Sequence, residues 1–196
     1  MRDIKKYSFL SVVLALTLLT QSGCTILAVG AAGTVAAVSA NDRRTVGTQL
    51  DDTTIQGRVA FQLAQVEALR EQANIQVNVY NSVVLLTGQA PTEALRQMAI
   101  DATQKVENIS KIHNQIRVGQ PIGATTQAND IWLANKIRAK FITDERVPTL
   151  NVSVIAENGE IFLMGRLSTL EANAAVDIAR NVDGVNKVIR AFDLKS

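Results

Sequence analysis

The residues of this chain able to do chemistry are few. His113 is the sole histidine and Cys24 the sole cysteine. His113 falls beside a strand with no second ligand near it, so neither a metal centre nor a Cys-His pair has enough members. Serines and threonines are scattered without the glycine-flanked turn that exposes a nucleophile. Gly30, Gly33, Gly119 and Gly123 form no phosphate-cradling loop. Asp51 and Asp52 could be read as an acid pair, but they stand where an apolar periodic stretch begins, which reads as helix capping. The chain therefore reads as a protein that is not an enzyme and uses no metal or cofactor. Trp132, Lys136 and Lys140 carry a different chemistry, because they recur every four residues along one flank of a helix. An indole sits well at a bilayer interface and lysines reach lipid phosphates. Each lysine is worth about 1 kcal/mol towards an anionic leaflet. These three are the candidate phospholipid-binding residues. The competing reading has Trp132 packed over its own hairpin and the lysines merely solvating the helix.

The sequence has 196 residues, 47% hydrophobic, 19% charged and 4% aromatic, enough for one domain or two small ones. The apolar share concentrates in the first 40 or so residues. There Arg2, Lys5 and Lys6 precede an apolar run from Tyr7 to Leu19, followed by Ser22, Gly23 and Cys24, the order of an export signal. Without residues 1–23 the formal charge of +2 falls to zero, which leaves no global field to attract nucleic acid. A single cysteine also excludes an internal disulfide. Ser22-Gly23-Cys24 resembles the lipobox of bacterial lipoproteins, departing from it at Gln21, where an aliphatic residue is usual. That resemblance implies cleavage before Cys24 and attachment of lipid to its thiol. Thr25, in place of an inner-membrane retention Asp, implies sorting to the outer membrane. In the alternative, the apolar stretch as far as Ala40 is a signal-anchor helix and Cys24 a bystander, since about 20 apolar residues span a bilayer.

The elements that must position Trp132 come in two copies. Asp52-Thr-Thr-Ile-Gln-Gly-Arg-Val is echoed 78 residues later by Asp130-Ile-Trp-Leu-Ala-Asn-Lys-Ile, and the stretch Tyr80 to Gly88 is echoed 77 residues later by Glu157 to Gly165. Each copy opens with a helix whose apolar stripe is Ile55, Val59 and Leu63, or Leu133, Ile137 and Phe141, with Asp52 and Asp130 as expected caps. A hairpin follows, turning at Asn81-Ser82 or Asn158-Gly159, and Gly88 and Gly165 end its second strand. A second helix spans about 92–106 or 169–182, where Ser168 and Glu171 have capping-box spacing. A last strand, 112–118 or 188–194, completes an αββαβ unit of the α+β class, three strands against two helices. The first copy has Glu107-Asn108 where the second has Asp183-Gly184, so its helix-ending turn is expected to differ. Thr54, Arg58 and Gln62 stand in the first copy where the second has Trp132, Lys136 and Lys140.

Two such units, with Gly88 and Gly165 after the hairpins and Gly-Val-Asn-Lys-Val at 184–188, resemble tandem BON domains. With the signal, the lipobox cysteine, the Val118 to Gly123 linker and the stretch Arg44 to Asp52, the chain is similar to dual-BON outer-membrane lipoproteins of Gram-negative bacteria. The resemblance implies a signal peptide over 1–23, a lipidated tether over 24–50, BON domains over 51–118 and 129–196, and a linker over 119–128. It further implies a periplasm-facing, lipid-anchored protein that binds anionic phospholipid membranes, supports outer-membrane integrity and is recruited to the division site. The alternative function is a protein-interaction module, in which a sheet edge or the first unit receives an envelope assembly or division protein.

Overall fold

The structure is a computed structural model that describes residues 42–194. The expected signal peptide, Cys24 and the tether up to residue 41 lie outside the described residues. The first repeat comprises α1 (Val46–Gln65), α2 (Glu67–Gln72), β1 (Asn74–Tyr80), β2 (Val83–Ala90), α3 (Glu93–Gln104), β3 (Lys111–Asn114) and β4 (Arg117–Val118). The second comprises α4 (Ala124–Ile142), a 3-10 turn (Thr149–Asn151), β5 (Val152–Glu157), β6 (Glu160–Leu167), α5 (Thr169–Arg180) and β7 (Lys187–Leu194). The expected stripes Ile55, Val59, Leu63 and Leu133, Ile137, Phe141 are all buried. Thr92 caps α3, and Ser168 with Glu171 closes the capping box of α5.

Both opening helices start earlier than the periodicity implied. Thr45 caps α1 and accepts from the Thr48 amide at 3.1 Å, so residues 46–50, read as tether, are helical, as are 124–128, read as linker. Asp52 and Asp130 consequently do not cap these helices. Each is buried within its helix and reaches across to the hairpin. Asp52 accepts from the amides of Asn81 and Ser82, both at 2.8 Å, and Asp130 from those of Asn158 and Gly159, at 2.7 and 2.8 Å. Both central residues of either turn have positive φ, which leaves their amides outside the sheet ladder and in need of acceptors. The carboxylate supplies them, and Ser82 holds the left-handed conformation that glycine fills in the second copy.

In each sheet the central strand pairs antiparallel with its hairpin partner and parallel with the last strand, in the orders β1-β2-β3/β4 and β5-β6-β7. The last strand of the first copy is broken at Gln115 and Ile116, where the Asn114 side chain accepts the Ile116 amide at 3.1 Å. Gly88 and Gly165 lie inside β2 and β6 instead of ending them. A Cβ there would stand 2.0 Å from the Asn74 carbonyl oxygen or 2.2 Å from that of Asn151, so the neighbouring backbone passes only because neither residue has a side chain. The turn expected to differ between the copies does not, because Asn108 adopts φ 66° where Gly184 has 94°, and asparagine tolerates that region.

The two sheets pack against each other. Val84 and Leu86 of β2 face the first repeat's helices, while Leu85 and Tyr80 turn the other way and form one buried cluster with Phe162, Met164 and Ala191 of the second sheet. The helices of each repeat are thereby placed on the outer side of its own sheet. Polar contacts fringe this seam: Gln89 and Gln76 donate to buried Glu157 at 2.5 and 3.3 Å, Asn81 donates to Asp193 at 3.1 Å, and Arg117 pairs with Glu160. Burial pushes the Glu157 carboxyl above its usual range, partly offset by the Gln89 bond.

Two consecutive arginines close the same seam. Arg44 pairs with Asp42 and Asp52, both at 2.9 Å, and lies 4.0 Å over the Tyr80 ring, all contacts with its own arm or the first repeat. Arg43 instead grips the second repeat: its guanidinium makes a forked pair with Glu171 at 2.7 and 2.8 Å and donates to the Arg166 carbonyl at 3.0 Å, and its amide donates to Asn151 Oδ1 at 2.6 Å.

Asp130→Ala leaves two turn amides without acceptors and should cost about 2–4 kcal/mol, with Asp130→Asn costing roughly half, as charge-assisted bonds are lost; urea midpoints of the three proteins check this. The Arg43 bond holds the Glu171 carboxyl down at about 2, against 4.5 normally. A depressed acid stabilises the fold above the unfolded value and loses that contribution as pH falls through the window from 4.5 towards 2. The difference in thermal midpoint between the wild-type protein and Arg43→Ala should therefore be constant above about pH 5 and shrink below it.

Candidate lipid-facing site

The site is built on α4. Its stripe of Leu133, Ile137 and Phe141 is buried against β5 and α5, which turns the opposite face outward at the helical repeat. Trp132 is on that face and 54% exposed, so the indole does not pack over its own hairpin. Lys136, one turn on, holds its ammonium 4.6 Å from the indole centroid, and Lys140 is exposed beyond it. The three residues singled out by spacing thus form one ridge.

Sequence spacing missed the apolar partners of that ridge. Ile131 is 64% exposed and Ile142 72% exposed. Ala128, Asn135 and Ala139 are also exposed. Helical spacing puts these three between Ile131 and Trp132, so the middle of the outward face carries no charge. Cations stand at its margins: Lys136 and Lys140 on one side, Arg138 on the other. Arg138 is committed, donating to Asn135 Oδ1 at 3.0 Å and to the Val154 carbonyl at 2.5 Å, and so covers part of the open edge of β5. Ile131 could have been found from the sequence, since it falls outside the buried stripe and an apolar residue there has no core to join.

The first repeat differs less than expected. Thr54, Arg58 and Gln62 occupy the corresponding flank, but Phe61 is 61% exposed on α1. It lines a cavity of about 470 Å³ with Arg58, Lys105 and Glu107. Thr54 in place of Trp132 therefore does not leave the first unit without an exposed aromatic, since Phe61 lies where the second copy has Ala139.

His113 is half-buried and pairs in register with Leu85, which places it on the face turned to the second sheet. Burial, with Lys111 nearby, pushes its imidazole below the ordinary value. Among the described residues no three His, Cys, Asp or Glu side chains come together as metal ligands, and no helix is long and apolar enough to cross a membrane.

The BON domain model matches residues 51–120 and 129–196, the two repeats just described. The chain belongs to the BON-domain family. This tandem BON protein is 36% identical over 183 residues to the outer membrane lipoprotein DolP of Haemophilus influenzae, covering 93% of this chain and 94% of that one. It is 43% identical over 152 residues to the 21 kDa hemolysin of Actinobacillus pleuropneumoniae, covering 78% of each. Osmotically-inducible protein Y of Escherichia coli is 27% identical over 146 residues, 73% of this chain and 72% of that protein.

Because Trp132 is the sole tryptophan, quenching reports on this site alone. In the lipid-free BON protein iodide should quench its fluorescence more strongly than caesium, drawn in by Lys136 and Lys140, and Lys136→Glu should narrow or invert that preference.

Proposed function

We propose that this BON protein is a lipid-anchored component of the outer membrane, facing the periplasm, that binds anionic phospholipid through α4 and supports envelope integrity. The observation that carries the reading is the outward face of α4: an uncharged strip bearing an exposed indole and two exposed isoleucines, margined by lysines. Soluble helices are usually polar on the outward side, whereas a helix lying in a bilayer interface carries apolar groups with lysines beside them. Similarity to a relative named as an outer membrane lipoprotein supports the location, and Cys24 is the residue that would carry the acyl chains. Multiple chains hold a protein firmly, at about 0.8 kcal/mol per buried methylene. The helix then adds lipid preference to an affinity supplied by the anchor.

Vesicles containing phosphatidylglycerol should shift Trp132 emission to the blue, and vesicles of phosphatidylcholine alone should not. Lys136→Glu should weaken binding about thirtyfold, since the loss of one cation and the gain of one anion each remove roughly 1 kcal/mol, and Ile131→Asp should weaken it as well. An emission spectrum that ignores phosphatidylglycerol would falsify the reading.

A further inference from the structure

We propose that the cleft between β1 and the flank of α4 is a subsite for a diol-bearing phospholipid headgroup, that of phosphatidylglycerol, with the hydroxyls held by the side-chain amides of Asn74, Asn78 and Gln127. The proposal rests on the reading of α4 given above and deepens it from the charge of the lipid to the chemistry of its headgroup.

β1 and β5 are edge strands, each of its own sheet. Ile75, Val77 and Val79 pack against the core of the first repeat, so alternation along β1 turns Asn74, Gln76 and Asn78 to the opposite face. These three amides line one side of a cavity of about 340 Å³, and the other side is formed by Gln127, Ile131 and Arg138 of α4 together with β5. That volume lies near the lower end of the roughly 300–1,000 Å³ range of small-ligand sites. Both repeats therefore build the cleft. Ile131 belongs to it and also, 64% exposed, to the apolar strip on the outward face of α4. A helix lying in a bilayer interface buries its apolar face by about 5–10 Å at the boundary of headgroups and acyl chains, which brings its flanks level with the headgroups.

The chemistry of the lining selects the ligand. Its carboxylates are already engaged: Asp130 accepts the two turn amides, and Glu157 accepts from Gln89 and Gln76. An ammonium headgroup would thus have to compete with bonds that hold the fold together. The side-chain amides of Asn74, Asn78 and Gln127, in contrast, have no hydrogen-bond partner among the described residues. A carboxamide both donates and accepts, and so does a hydroxyl, so neutral amides on facing walls of a small cavity match a vicinal diol. Arg138, exposed at the rim, uses two of its N–H donors on Asn135 and the Val154 carbonyl. A guanidinium has five such donors, and the remaining ones can meet the phosphodiester that carries the diol.

The test titrates the chain from residue 24 onward, carrying Cys24→Ser so that no acyl chain masks affinity, with two sets of phosphatidylcholine vesicles. One set contains phosphatidylglycerol and the other an equal fraction of phosphatidylmethanol, a phosphodiester of the same charge without headgroup hydroxyls. Trp132 emission reads binding. This parent protein should bind the phosphatidylglycerol vesicles more tightly by about fivefold or more, the least that two neutral hydrogen bonds give. Asn78→Ala combined with Gln127→Ala should remove that preference and keep the affinity for phosphatidylmethanol vesicles, with urea midpoints showing that the variant folds. Equal affinity of the parent protein for both lipids overturns the proposal while leaving α4 as the lipid-facing element. A preference that survives in the double variant, or an equal loss on both lipids, also overturns it, because the amides would then have no part in reading the diol. Soluble glycerophosphoglycerol that shifts the Asn78 and Gln127 side-chain amide NMR signals with the affinity of the vesicles makes the ligand a free polyol and overturns the lipid assignment. A parent protein that binds neither set of vesicles removes the reading of α4 and the proposal together.

Discussion

Apolar residues on both faces of β2 and β6 are the constraint on which the arrangement of this protein depends. A three-stranded sheet with helices on one side leaves its other side to water, and here that side carries Leu85 and Tyr80 in one repeat and Phe162 and Met164 in the other. Burying large side chains of this kind contributes on the order of 1.5–3 kcal/mol each, so the sheets close on one another. Once they do, every helix is an outer layer. The face of α4 that is not used by its own core meets no other element among the described residues.

Each repeat solves its local problem in the same way. A two-residue turn with positive φ at both positions turns two amides away from the ladder, and a buried aspartate from the opening helix accepts both of them. The bond joins helix to hairpin, and in the first repeat it does so at the margin of the seam, where Asn81 also donates to Asp193. In the first repeat Arg44 completes the arrangement, balancing the Asp52 charge while stacking on Tyr80. Removing Arg44 would leave a buried carboxylate relying on two amides alone, the state that Asp130 occupies in the second repeat.

The copies diverge on their outer surfaces, where packing does not constrain residue type. α1 presents Thr54, Arg58 and Gln62, with Phe61 to one side, whereas α4 presents an uncharged apolar strip between cations. The arm entering at Asp42 bridges the two copies, since Arg43 ties it to the second repeat and Arg44 to the first. A duplicated fold has in this way acquired two unequal outer faces without altering its two cores.

Much of this was legible before any coordinates. Period-four stripes, alternation in the hairpins, the Asn158-Gly159 turn and the Ser168-Glu171 box are local signals, because backbone geometry alone sets which residues share a face and which turn accepts positive φ. The repeat itself is a property of the chain, and so is the ridge of Trp132, Lys136 and Lys140. Other features required the folded molecule. Asp52 and Asp130 read as caps because they stand where the apolar periodicity begins, while the true starts lie a turn or more earlier, one capped by Thr45 and the other following Gly123 without a side-chain cap. The left-handed Asn108 needed its surroundings to be seen as the equal of Gly184. That Trp132 is exposed, that Ile131 and Ile142 join it, and that Arg43 reaches Glu171 across 128 positions were decided by tertiary structure, because burial and long-range pairing depend on which surfaces meet, and no spacing within one helix contains that information.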